Sequence, residues 1–151
     1  MKQEILQLLQ PLLEERDLVL VDFQSPAEHR FQIFIDGQEN VSIDTCIQIA
    51  RQLRALGGED LDPFDLTVSS PGLDKPFRHP IQFEKNIGKH VEVLLEDGRK
   101  LIGKLEAVHP EALHLICMKP SVHKGGKPKY DAQPTILDRA AIRQTIKHIA
   151  F

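Results

Sequence analysis

Residues 71–80 read PGLDKPFRHP. Pro71, Pro76 and Pro80 each lack a backbone N–H, and Gly72 adds a permissive position, so neither a helix interior nor a central strand tolerates this segment. It reads as a linker. At 151 residues the chain is long enough for one ordinary domain or two small ones. The linker favours two: an N-terminal domain over residues 1–80 and a C-terminal domain over 81–151.

On the N-terminal side, Ile5, Leu8, Leu9, Leu12 and Leu13 recur at three- and four-residue spacing, which predicts an amphipathic helix over residues 2–15. Pro11 lies inside it and predicts a bend near residue 10. Residues 18–23 and 30–36 are rich in Val, Ile, Leu and Phe, and the turn-prone Ser25-Pro26 between them predicts a hairpin. Phe31, Ile33 and Ile35 share one strand face, which should meet the helices. Ser42 as N-cap and Asp44 in the first turn open a second helix that runs to the neighbourhood of Leu56 and stops at Gly57-Gly58. Its expected inner stripe is Ile43, Cys46, Ile47, Ala50, Leu53 and Leu56. Residues 65–69 supply a third strand, giving the order helix, strand, strand, helix, strand, an α+β unit.

Beyond the linker the pattern changes. Residues 91–96, 100–108, 113–118, 134–137 and 145–151 are short β-like runs, with turn signals at Asp97-Gly98, His109-Pro110 and Gly125-Gly126. This spacing predicts a small all-β barrel, so the whole chain falls in the α+β class.

Composition and charge limit what such a molecule does. With 41% hydrophobic and 27% charged residues the chain is too apolar to be disordered. No apolar run approaches the roughly 20 residues of a membrane-spanning helix, and the opening MKQEILQLLQPLLEERD mixes acids among its leucines where a signal peptide is uninterrupted. An unexported protein is expected. Cys46 and Cys117 lie far apart in different apolar patterns, so reduced, buried thiols are expected. Residues 1–80 hold seven Lys/Arg against fourteen Asp/Glu, while residues 81–151 hold twelve against eight, for net charges of −7 and +4. The second half is therefore the one suited to phosphate.

Candidate binding residues cluster where the acidic half ends. Ser69-Ser70-Pro71-Gly72 offers two hydroxyls and a turn whose N–H groups could cradle an anion. The same residues also read as a strand terminus that orients two domains, and the roles are compatible. Lys75, Arg78 and His79 follow with positive charge. Around Gly125-Gly126, the residues His123, Lys124, Lys127, Lys129 and Tyr130 predict a basic hairpin loop, read either as an RNA-backbone contact or as a solvated loop. Seven Phe, one Tyr and no Trp leave few rings to stack on bases, so backbone and shape contacts, or protein binding at a strand edge, are what remain. His109 and His114 flank a turn but lack further ligands nearby in sequence, and read as solvated histidines. Catalysis by Ser69 or Ser70 would need a positioned base, and the segment has neither a G-x-S-x-G elbow nor a P-loop.

The stretch Thr67-Val68-Ser69-Ser70-Pro71-Gly72-Leu73-Asp74-Lys75-Pro76 resembles the V-S-S-P-G-L-D-R-P signature of the bacterial ribosome maturation factor RimP family. Ile35-Asp36-Gly37, Ser42-Ile43-Asp44 with Cys46, Ala50-Arg51, Gly88-Lys89 with Val91 and Val93, and Gly103 with Leu105 fall in the family's order, so the resemblance covers nearly the whole chain. Lys75 stands where the family usually has Arg, Phe77 where Leu is usual, and the final strand is only loosely similar. Lys for Arg replaces a planar fork by a point charge, which changes how that position would grip a phosphate.

The resemblance implies an α+β N-terminal domain, a C-terminal barrel similar to SH3 and Sm folds, no cofactor, no metal and no catalysis. It implies a monomeric cytoplasmic factor for maturation of the small (30S) ribosomal subunit, binding transiently to immature particles. The implied partners are 16S rRNA and a small-subunit protein of the decoding region. The residues expected at the contact are Ser69, Ser70, Pro71, Gly72, Leu73, Asp74, Lys75 and Arg78, with Lys124, Lys127 and Lys129 in the loop. An Sm-like RNA-binding or adaptor protein outside the ribosome is the alternative.

Overall fold

Apolar residues at helical and strand spacing organise the chain into α1 (Lys2–Glu14), β1 (Leu18–Ala27), β2 (Arg30–Gly37), α2 (Ile43–Gly57) and β3 (Asp65–Ser69), then α3 (Pro80–Lys85) and β4 (His90–Leu95). The strands β5 (Lys100–Val108), β6 (Ala112–Lys119), β7 (Lys129–Tyr130), β8 (Thr135–Asp138) and β9 (Ile142–Lys147) complete the order. The structure, a computed structural model, describes residues 1–119 and 126–149. The chain separates into two compact units, Met1–Gly72 and Leu73–Phe151.

In the first unit the sheet order is β1-β2-β3, with β1 antiparallel and β3 parallel to β2. Parallel neighbours need a crossover, and α2 provides it. Phe31, Ile33 and Ile35 are buried among Ile5, Leu9 and Leu13 of α1 and Ile49 and Leu53 of α2, so the expected strand face does meet the helices. The helix α1 continues through Pro11, whose carbonyl accepts from the Glu15 N–H at 3.1 Å. The proline is exposed, away from the leucine stripe.

Two expectations need correction here. The hairpin reverses at Glu28-His29, because Ala27 pairs with Arg30, and Ser25-Pro26 lies inside β1 at an irregularity between Gln24 and Ala27. As β1 is an edge strand, a missing N–H at Pro26 is tolerated there. The Ser25 hydroxyl donates to the carbonyls of Ala27 (3.1 Å) and Arg30 (3.2 Å), spanning the irregularity. The buried stripe of α2 is Cys46, Ile49 and Leu53, whereas Ile43 (79%), Ile47 (43%) and Leu56 (57%) are exposed. At 3.6 residues per turn Ile47 stands about 100° round from Cys46, on the side opposite Ile49, outside the arc that α1 and the sheet cover.

The second unit is a sheet of order β7-β6-β5-β4-β9, with β8 beside the start of β6. Val91, Val93 and Leu95 alternate inward along β4 and join Leu105, Leu113, Leu115 and Leu137. The α+β class holds, but the ladder is open: among the described residues no pairing joins β8 to β9, which are linked through a 3₁₀ turn at Arg139–Ala141. The expected barrel is thus not closed by hydrogen bonds. The helix α3 is an addition to the expected elements, and its six residues PIQFEK are too few to show a period.

Candidate functional site

The signature segment begins where β3 ends. Ser69 is the last residue of β3, pairs with Phe34 of β2 and is half-buried, while Ser70 is exposed. Among the described residues neither hydroxyl is hydrogen-bonded. Burial pushes the Cys46 thiol of α2 up from its ordinary range, and a backbone hydrogen bond from Ser70 works in the opposite direction. Cys46 and Cys117 are both free thiols, and Cys117 is the less buried of the two.

Within the second unit the continuation of the segment is held from beneath. Phe77 packs edge-to-face on Phe83, with centroids 5.1 Å apart and planes at 88°, and its N–H donates to the Thr145 carbonyl of β9 at 2.8 Å. The N–H groups of Arg78 and His79 both donate to Oε1 of Gln82, at 3.0 Å for His79, and Gln82 is buried. In return His79 Nδ1 accepts from the Ile81 N–H at 3.1 Å. These bonds, with Pro80 at the first turn, form a reciprocal cap that starts α3. His79 therefore acts as a helix cap, which corrects its reading as part of the cationic cluster.

The cap leaves other side chains outside. Leu73 is 62% exposed, and Asp74, Lys75 and Arg78 are exposed too. Among the described residues neither Lys75 nor Arg78 is in an ion pair. The backbone at Arg78 is pinned and its guanidinium is unclaimed among the described residues, an arrangement suited to receiving an oxyanion. Pro71 is half-buried and Gly72 exposed, at the end of the first unit.

The basic loop is described only in part. Lys124 and His123 lie outside the described residues, while Lys127 and Lys129 are exposed. Lys129 sits directly opposite Lys119 in the β6/β7 pair, a like-charge juxtaposition that an anion would relieve. At the loop's base the Tyr130 hydroxyl meets His90 Nε2 of β4 at 2.7 Å.

Other contacts carry no signal readable in the sequence. Glu92 is held by Lys100 Nζ at 2.9 Å and His148 Nδ1 at 3.1 Å, and these hydrogen bonds, Lys100 first, lower its pKa below the ordinary carboxylate value. Arg139 lies over the Phe83 ring at 4.6 Å. His109 and His114 do face each other, with centroids 4.7 Å apart. Among the described residues no group of three or more His, Cys, Asp or Glu is placed to hold a metal. No helix among them is long and apolar enough to cross a membrane.

Comparison with known proteins agrees with the signature. Residues 8–74 match the sequence model of the RimP N-terminal domain. Two curated relatives named ribosome maturation factor RimP, from Porphyromonas gingivalis strains ATCC 33277 and W83, are each 28% identical over 149 residues, covering 98% of this chain and 98% of theirs. The similarity to ribosome maturation factors of the RimP family therefore runs through both units of the chain.

Proposed function

We propose that this protein promotes maturation of the small (30S) ribosomal subunit by binding transiently to the assembling particle, in the cytoplasm and without catalysis. The observation that carries the reading is the pair Lys75 and Arg78, exposed and unneutralised among the described residues, in a signature shared along a chain related end to end to maturation factors. Ser69, Ser70, Pro71, Gly72, Leu73 and Asp74 accompany them at the contact. The partners are 16S rRNA, met through its phosphates, and a small-subunit protein of the decoding region. Such a factor acts only by binding one state of the particle better than another. It must prefer immature particles to mature ones.

The test is cosedimentation of tagged protein with precursor and mature small subunits. Preferential association with precursors, lost on Lys75→Glu with Arg78→Glu, is the expected result. Equal binding to both particles, or binding that survives the double reversal, overturns the reading. The loop is tested apart: if Lys124, Lys127 and Lys129 each meet a phosphate, neutralising all three lowers the slope of log affinity against log salt by about 2 to 3.

A further inference from the structure

One end of the first unit carries a groove that the signature does not use. Its walls are the first turns of α1 (Met1, Glu4, Leu8) and the end of α2 with the following 3₁₀ turn (Leu56, Asp60, Leu61). Its volume is about 310 Å³, enough for two or three side chains. The floor is apolar: Leu61 is buried, Leu8 is half-buried, and Leu56 (57%) and Met1 (41%) are open to solvent. Gly57 is what lets Leu61 close the floor, since a Cβ there would collide with the Leu61 side chain.

The rim is acidic. Glu4 is paired with the N-terminal ammonium at 3.2 Å, but Asp60 has no ion-pair partner among the described residues. The groove also lies on a strongly acidic body, since residues 1–72 hold five Lys/Arg against thirteen Asp/Glu, a net charge of −8. That charge selects among occupants. RNA is repelled, and a second copy docking Leu56 on Leu56 would set two acidic rims face to face. A cationic chain with an apolar side chain satisfies both floor and rim.

We infer that the α1/α2 groove docks a lysine- or arginine-rich polypeptide segment, inserting one or two apolar side chains between Leu8 and Leu56 while its cations meet Asp60 and the acidic surface around it. The source of the segment, a protein of the assembling particle, rests on the proposed function; the groove's chemistry does not. The first unit then holds protein while the basic second unit meets RNA.

The experiment titrates the full-length, ¹⁵N-labelled protein with a short peptide of alternating lysine and leucine, following amide shifts. Parallel arms use the same peptide with glutamate for lysine, and oligouridylate. The expected result is saturable shifts at Leu8, Leu56, Gly57 and Leu61 with the lysine peptide alone. Leu56→Ser should weaken binding about tenfold, because it removes much of the burial of one leucine. Asp60→Lys should weaken it about threefold. Both side chains are exposed, so thermal unfolding should be unchanged and serves as the folding control. Shifts spread evenly over the acidic surface, wild-type affinity in Leu56→Ser, or equal occupancy by oligouridylate overturn the inference. Particle association that persists without peptide binding sinks the groove alone; peptide binding without particle association sinks the assembly reading alone.

Discussion

Gln82→Ala should loosen the ground under Arg78 without removing any charge. Gln82 is buried, and its Oε1 accepts from the N–H groups of both Arg78 and His79. Each such bond contributes about 1 kcal/mol net, and the lost aliphatic packing adds roughly another, for a total of about 3 kcal/mol. At about 4–8 °C per kcal/mol for a unit of this size, the thermal midpoint of the second unit should fall by roughly 12–24 °C. The transition can be followed on the methyl resonances of Val91 and Leu115, with hydrogen exchange at the Arg78 and His79 amides as the local readout. Gln82→Glu keeps an acceptor oxygen at the helix start and should recover most of the loss. Particle affinity of Gln82→Ala, measured below its midpoint, should also drop, because an unpinned Arg78 must be ordered on binding. A midpoint within about 2 °C of wild type, with unchanged exchange at both amides, would refute the claim that this cap positions the arginine.

Further expectations test packing and charge. Ile49→Ala, at a fully buried position, should cost about 2–5 kcal/mol in the urea unfolding of the first unit, whereas Ile43→Ala should stay within about 0.5 kcal/mol; the reverse ranking would mean that α2 presents its other side. Thr145 is 2% exposed and its hydroxyl has no hydrogen-bond partner among the described residues, so Thr145→Val should stabilise the second unit by about 1 kcal/mol, read as a raised thermal midpoint. The Glu92 pKa is depressed in the folded state, so its stabilising contribution is present at neutral pH and is lost as pH falls below the ordinary carboxylate value of 4.5. Glu92→Gln should therefore narrow the difference in urea midpoint between pH 7 and acid, and an unaltered acid limb would show that the Lys100 and His148 contacts are energetically idle.

The order of elements in the first unit, the strands β4, β5, β6 and β8 of the second and the candidate cations were legible in the sequence because they depend on local rules, whereas the last strand, expected over 145–151, is Ile142–Lys147 and β7 was not expected. Leucine spacing specifies α1, alternation specifies β2 and β4, and Pro71 and Pro76 lie in a stretch without helix or strand, while Pro80 opens α3. The signature Thr67 to Pro76 likewise pointed to the family, since a run of that kind is compared residue by residue.

What the tertiary structure alone decided is which side of an element has a neighbour. Ile43, Ile47 and Leu56 are as apolar as Ile49 and Leu53, so no periodicity within fifteen residues of α2 reveals that α1 and the sheet cover only the arc from Cys46 to Ile49. Ser25-Pro26 looks like a turn, yet an edge strand with an irregularity accommodates it, and edge position depends on strand order. The open ladder between β8 and β9, the parallel β2/β3 pair and the reciprocal His79–Gln82 cap have the same origin. Local chemistry permits several partners for a backbone donor or an apolar face, and only the packed chain chooses among them.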